Sequence, residues 1–281
     1  MRILITGANG QLGSDCLSIL SQNAKNDVIG VIRQDFDLTD YTATFNYISG
    51  MKLDAIVHCA AYTNVDKAEI YPEQCFAANV TGTKAIVDAC KKSGAKLIFI
   101  SSDFVYNTNN KLISEEEILS PANVYGKSKM IAEQYIQENL DNYFILRTSW
   151  LYGKTGSNFI KTMVRLADEG VKQLKVVNDQ ISSPTSTIDL SNLIEKLITS
   201  DKYGVYNTVN SGYVSKFDLA CKIFETLNKQ VDVIPITTEA YNLEHPLSAP
   251  RPLSSMLDIS KLTKTFGSLP DWEDSLTKYL L

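Results

Sequence analysis

The chain has 281 residues, 44% apolar and 21% charged, the profile of a soluble globular protein able to bury one large core or two modest ones. Its formal net charge of −5 argues against non-specific nucleic-acid binding, which needs a basic face, but permits a small anionic ligand held by local donors. The five cysteines form no C-x-x-C pair and read as free thiols, and His58 and His245 have no neighbour at ligand spacing, so no metal site is expected.

The N-terminal "MRILITG" runs straight into a strand, without the apolar stretch of a signal peptide. No apolar run approaches the ~18–20 residues that span a bilayer, so no membrane contact and a cytoplasmic location are expected. After "RILIT" comes a helical stretch to about Gln22, then strand "DVIGVI", a helix near "YTATFNYISG" and strand "LDAIVHCA". One longer helix, roughly "PEQCFAANVTGTKAIVDACKKSG", leads to strand "AKLIFISS"; a helix carrying Tyr125 and strand "NYFILRTS" follow. Apolar strands separated by helices predict a Rossmann-like, doubly wound parallel sheet covered on both faces. Beyond about Trp150 the rhythm loosens into helix "SNFIKTMVRLADEG", strands "LKVVN", "GVYNTV" and "VDVIPI", and the proline-rich "EHPLSAPRPLSS". The expected organisation is a dinucleotide-binding domain over 1–150 and a smaller, mainly substrate-binding region over 151–281, with an interleaved boundary.

The first strand ends in "ITGANGQLG", with Gly7, Gly10 and Gly13 three residues apart. Such glycines allow a sharp turn and close approach of a pyrophosphate, and the next helix aims its positive end at it. Where the second strand ends, an acid would favour NAD; here Ile32 and Arg33 stand instead. Arg33 could meet a 2′-phosphate or be a solvated arginine, which makes NADPH the expected cofactor and NADH the alternative. Asp37 could hydrogen-bond the adenine or cap the following helix. Further on, "HCAAYTNVDKAE", "ISSDFVYN" and "RTSWLYG" fall at the C-terminal ends of consecutive strands, the ligand-binding edge of such sheets. Tyr125 and Lys129 are spaced i, i+4 and share a helix face, whereas Lys127 points elsewhere.

Taken together, "TGANGQLG", "DLTD", "HCAAYTNVDKAE", "NVTGTKAI", "ISSDFVY", "YGKSK", "LRTSWLYG", "DQISSPTSTIDL", "APRPLSSMLD" and "WEDSLTKYL" resemble the extended short-chain dehydrogenase/reductases, and more closely the dTDP-4-dehydrorhamnose reductases. The resemblance spans nearly the whole chain. It implies reduction of the 4-keto group of dTDP-4-dehydro-L-rhamnose, with Ser102, Tyr125 and Lys129 as the catalytic set. It further implies cofactor contacts from Gly7, Asn9, Gly10, Gln11, Leu12 and Gly13, from Arg33, Asp37 and Leu38, from Ala60, Ala61 and Tyr62, and from Asn79, Tyr125 and Lys129. Asp103, Trp150 and Arg251, with Ser102 and Tyr125, are implied on the substrate side, Arg251 at the diphosphate. The implied partner is a dTDP-sugar, and the assembly a monomer or homodimer. Another nucleotide-linked 4-keto-6-deoxyhexose, or a non-catalytic regulatory subunit on the same fold, are the alternatives.

The residue chemistry supports this step independently. A hydride arriving at a carbonyl carbon leaves an alkoxide that must be protonated, and Tyr125 can supply the proton. A free phenol has a pKa of about 10, and an ammonium ~4 Å away at an effective dielectric of ~20 attracts the phenolate by roughly 4 kcal/mol. Lys129 is therefore expected to draw the Tyr125 phenol towards working pH, with Ser102 aiming the substrate oxygen. The sequence departs from the family at "DFVYNTNN", where Phe104 and Tyr106 exchange the usual aromatics and Asn107-Thr108 replace the usual turn. His58 reads as a strand histidine with structural hydrogen bonds.

Overall fold

A computed structural model of the protein describes residues 1–108 and 112–281; Asn109 and Asn110 of the departing "DFVYNTNN" segment lie outside them. Strands β1 (Arg2–Thr6), β2 (Asp27–Val31), β3 (Ala55–His58), β4 (Lys96–Ser102) and β5 (Tyr143–Thr148) share one parallel sheet with a strand from far downstream, Gly204–Asn207. The order is Gly204–Asn207, β5, β4, β3, β1, β2. The chain steps from β1 to β2 on one side and then to β3 on the other, so a crevice opens beyond the carboxyl ends of β1 and β3.

Alternation along each strand feeds two cores, as a doubly wound sheet requires. Ile3 and Ile5 join Leu12, Cys16 and Leu20 of helix Gln11–Leu20 and Leu190, Leu193 and Leu197 of helix Thr187–Ile198. Between them, Leu4 faces Ile48, Ile86, Ala89 and Ile136 from the helices of the opposite layer. Two elements from beyond residue 150 thus complete the main sheet: the Gly204–Asn207 strand pairs with β5, and helix Thr187–Ile198 covers one face.

The helix expected over "PEQCFAANVTGTKAIVDACKKSG" is divided. Pro72–Phe76 and Gly82–Ser93 are α-helical, and a π-helical turn, Ala77–Thr81, widens the chain between them. Asn79 sits in that turn, and its side chain hydrogen-bonds backbone and side-chain groups of other elements. Such insertions concentrate at functional sites; periodicity cannot reveal them, because apolar residues return on both sides.

The remaining C-terminal elements build their own apolar cluster from Ile160, Met163, Leu219, Ile223, Phe224, Trp272 and Leu276. "LKVVN" and "VDVIPI" pair in parallel with each other, apart from the main sheet. A smaller arrangement matters more for the site. Ile181–Ser182 pairs antiparallel with Val214–Ser215, and Ile181 bridges Ser254 on its other side. Hydrogen bonds from Ile181 N to Leu253 O and from Ser255 N to Ile181 O, both 2.8 Å, hold this patch together. It gathers Gln180, Lys216 and Ser255 from three distant segments. Among the described residues, no helix is long and apolar enough to cross a membrane.

Candidate active site

The glycine turn is shaped by close approach. Gly7 has φ 68°, in the left-handed region, and a Cβ there would lie 2.9 Å from the Ala60 Cα. A Cβ on Gly13 would stand 2.1 Å from the Gly7 carbonyl oxygen, so helix Gln11–Leu20 begins directly against the turn. Its N-cap, Gly10, supplies no side-chain cap, which leaves the first N–H groups to an outside acceptor.

An elongated cleft of about 1280 Å³ runs along the carboxyl edge of the sheet. Gly7, Asn9, Gly10, Gln11 and Leu12 line it beyond β1, Arg33, Asp37 and Leu38 beyond β2, and Ala60, Ala61 and Tyr62 beyond β3. Gly13 is buried beneath the turn. Arg33 is exposed at the β2 end. Asp37 does not cap the following helix; Asp40 does, accepting from Ala43 N at 2.9 Å. The Asp37 carboxylate instead accepts from the Thr39 N–H (2.9 Å) and hydroxyl (2.8 Å), and these bonds, with Arg33 nearby, hold it below the usual range. Only Leu38 and Thr39 separate the two acids, and the chain's turn decides which reaches the helix.

Asn79 is buried behind the cleft wall. Its Oδ1 accepts from Tyr62 N at 2.7 Å, and its Nδ2 donates to Tyr62 O (3.1 Å) and Ser128 Oγ (2.9 Å). It therefore ties the Tyr62 loop to the helix that carries Tyr125. His58 is buried between Thr6 Oγ1 (2.8 Å from Nδ1) and Thr83 Oγ1 (3.1 Å from Nε2). Because the Thr83 hydroxyl already donates to Asn79 O, it must accept from Nε2–H, which fixes the tautomer. Burial, with Lys129 nearby, drives the imidazole down to about 3, so it is neutral and structural.

The Tyr125 helix, Val124–Asn139, starts from a full set of caps. Asn123 Oδ1 accepts from Gly126 N and Glu69 Oε1 from Val124 N, both at 2.7 Å. A Cβ on Gly126 would meet the Phe104 carbonyl oxygen at 2.1 Å, so this glycine lets the helix seat on the turn that follows β4. Ser102, Tyr125 and Lys129 consequently line the same cleft as the glycine turn, while Lys127 is exposed.

The electrostatics differ from the expectation that Lys129 lowers the phenol. Burial pushes the Tyr125 phenol up, the Ser102 hydroxyl beside it opposes this, and Asp103 and Cys75 add to the rise. Lys129 is itself 2% exposed, with its Nζ 4.0 Å from the Phe99 ring centroid. Burial lowers its amine to about 7 against the pull of Glu133, Cys59 and Cys75. Desolvation of both groups outweighs the attraction that spacing alone suggests.

Just beyond β4 in the same cleft, Asp103 is 2% exposed, and its Oδ1 accepts from Ser102 Oγ at 3.0 Å. Its Oδ2 is buried with no hydrogen-bond partner among the described residues. Burial raises this carboxyl to about 6, with Ser255, Ser102 and Lys216 among the opposing groups. Trp150 lines the cleft with φ 41°, rare for a bulky side chain and the kind of strain found at functional sites. Over its ring, at 5.4 Å from the centroid, lies Lys216 Nζ, which donates to Gln180 Oε1 at 2.7 Å. Burial lowers the Lys216 amine to about 8, Arg251 adds to that, and Asp103 and Asp66 oppose it. Arg251 is not among the described cleft-lining residues; its Nη2 pairs with Asp66 at 2.8 and 3.0 Å, and its Nη1 donates to Ala249 O at 3.0 Å. Nothing in the sequence marks Lys216, Gln180 or Ser255, each of which sits in an ordinary polar context. Only the small three-segment patch brings them to Asp103 and Trp150.

Comparison with known proteins places these features in a family. The family model described as the RmlD substrate binding domain matches residues 1–281. The dTDP-4-dehydrorhamnose reductase of Aggregatibacter actinomycetemcomitans is 34% identical over 98% of this chain and 97% of its own. That of Escherichia coli K12 is 35% identical over 100% of this chain and 97% of its own. The crystal structure of the Bacillus anthracis dTDP-4-dehydrorhamnose reductase, in complex with NADP, superposes with a TM-score of 0.93 at 38% identity, covering 99% of this chain and 98% of that one.

Proposed function

The chain belongs to the dTDP-4-dehydrorhamnose reductase family, and on that premise we propose that it reduces the 4-keto group of dTDP-4-dehydro-L-rhamnose to dTDP-L-rhamnose with NADPH. The observation that carries this reading is that Ser102, Tyr125 and Lys129 line one cleft with the glycine turn and with Asp103 and Trp150. The turn fits a dinucleotide pyrophosphate, since it has no room for side chains at Gly7 and Gly13 and leaves helix N–H groups free. Arg33, exposed at the adenosine end, fits the 2′-phosphate. In this reading the enzyme works in the cytoplasm as a monomer or homodimer and supplies a nucleotide sugar for cell-surface polysaccharide.

Bound NADPH supplies the hydride. The protein positions the carbonyl and delivers the proton. With its phenol pushed up by burial, Tyr125 is protonated at neutral pH and ready to donate. The alkoxide oxygen takes that proton, and the phenolate left behind is stabilised by the Lys129 ammonium one helical turn on. Ser102 Oγ, beside the phenol, turns its one hydrogen from Asp103 Oδ1 to the substrate oxygen as charge develops there. The unpartnered Asp103 Oδ2 accepts from a sugar hydroxyl, and Trp150, backed by Lys216, walls the ring. Arg251 reaches the diphosphate by exchanging Asp66 for it.

The test is nicotinamide oxidation followed with a panel of dTDP-4-keto sugars. Turnover of dTDP-4-dehydro-L-rhamnose at the highest kcat/KM is expected. Faster turnover of another 4-keto sugar would reassign the substrate, and none at all would favour a regulatory subunit.

A further inference from the structure

The Tyr125 helix is gripped from behind by an ion pair that the proton transfer does not use. Glu133 follows Lys129 by four residues and is 0% exposed; Arg147, on β5, is 3% exposed. Arg147 Nη2 donates to Glu133 Oε2 at 2.6 Å, and its Nε donates to both carboxylate oxygens at 3.1 and 3.2 Å. The Ser101 hydroxyl donates to Glu133 Oε1 as well. Arg147 Nη1 is occupied by Glu115 O at 2.9 Å and by the Tyr106 hydroxyl. In the β4–β5 register Ser101 pairs with Arg147 and Ser102 with Thr148. The residue just before Ser102 and its cross-strand neighbour therefore both hold one carboxylate on the helix that carries Tyr125 and Lys129.

Such a pair is a poor source of stability, because desolvating both charges offsets their attraction and apolar residues of similar size do as well. Its position suggests another role. Tyr125, Lys129 and Glu133 stand one turn apart on one face of their helix, with Lys129 and Glu133 buried there and the Arg147 cation behind Glu133; neutral His58 and the Cys59 thiol from β3 and the loop after it, and the Cys75 thiol from helix Pro72–Phe76, also lie near the ammonium. Phe99 of β4 offers its ring. Glu133 is the carboxylate in that set, and it gives the largest opposition to the loss of the Lys129 proton on burial.

We infer that Glu133 is a positioning residue for Lys129: clamped by Arg147 and Ser101, its carboxylate sets the helix against β4 and β5 and supplies the fixed negative charge that faces the ammonium. The inference rests on the assignment of Lys129 to the active site. Without that charge, the amine releases its proton at lower pH, so the alkaline limb of any Lys129-dependent property moves down.

The experiment follows NADPH binding by nicotinamide fluorescence, and kcat/KM, from pH 5.5 to about 10 in wild type, Glu133→Gln and the double variant Glu133→Gln/Arg147→Met. The double variant removes both charges and leaves no unpaired guanidinium, which keeps the test open if Glu133→Gln alone does not fold. Thermal denaturation is measured alongside. The double variant is expected to regain near-wild-type thermal stability while its alkaline limb lies about one pH unit lower, a loss of about tenfold at pH 8. An alkaline limb unchanged from wild type in the folded double variant would overturn the inference, as would failure of the double variant to fold, since the pair would then be a structural requirement. The binding arm needs no sugar substrate, so a wrong substrate assignment leaves it intact; absence of NADPH binding by the wild type would overturn both readings.

Discussion

The two ends of the cleft are built in different ways. The dinucleotide end comes from short, consecutive pieces: each of β1, β2 and β3 delivers its own loop to the same edge, so Gly7, Arg33 and Ala60 line up through sheet order alone. The sugar end is assembled from segments far apart in the chain. Trp150 follows β5, Gln180 and Lys216 come from a two-stranded patch, and Arg251 stands on a loop tied to Asp66, outside the described cleft lining. At the second end, buried polar groups such as Lys216 take their partners from other elements, and each is costly to leave unpaired.

This contrast can be broken by substitution. The largest effect is expected at the seam between the ends. Tyr125→Phe should cut kcat by about 10²–10⁴-fold while NADPH binding, measured by fluorescence, stays within a few-fold of wild type. Wild-type-like turnover would remove Tyr125 from the chemistry.

Asp103→Asn should act on the sugar end alone. Loss of a charge-assisted hydrogen bond, worth about 1.5–3 kcal/mol, should raise the sugar-nucleotide KM roughly ten- to a hundredfold with the NADPH KM unchanged. The same change should stabilise the fold. The Asp103 carboxyl is raised from 3.8 to about 6, so the folded state holds its proton longer than the unfolded chain. Stability is therefore lost as pH rises from about 4 to about 6, by up to roughly 3 kcal/mol. Denaturation midpoints should show Asp103→Asn more stable than wild type at pH 7, with the gain vanishing near pH 4. An equal gain at both values would point to packing rather than charge.

The smallest effect should fall at the dinucleotide end. Arg33→Ala should raise the NADPH KM by about tenfold, leave NADH nearly unaffected and spare the sugar KM. An unchanged ratio of the two cofactors would take Arg33 out of the site.

Much of the architecture was legible in the sequence because it is local. Strands apolar on both faces, helices between them and glycines at three-residue spacing are each set within a few residues, and right-handed crossovers then leave one arrangement. The i, i+4 spacing separated Lys129 from Lys127 for the same reason, since a helix face follows from backbone geometry. What failed was anything that depended on neighbours distant in sequence. Asp37 and Asp40 look interchangeable as caps. In the π-helical turn at Ala77–Thr81, Asn79 reaches Tyr62 and Ser128, pairings that no periodicity contains.

The sheet, the glycine turn and the helix face shared by Tyr125 and Lys129 are already written in the sequence, because short-range sterics and helix geometry dictate them. Only the folded surroundings set the directions in which the Tyr125 phenol and the Lys129 amine shift, bring Lys216 to Trp150, and bury Glu133 with Arg147 behind the helix. Desolvation and long-range pairing depend on what surrounds a group in space, and in this protein the surroundings of Tyr125 and Lys129 come from every strand between β3 and β5.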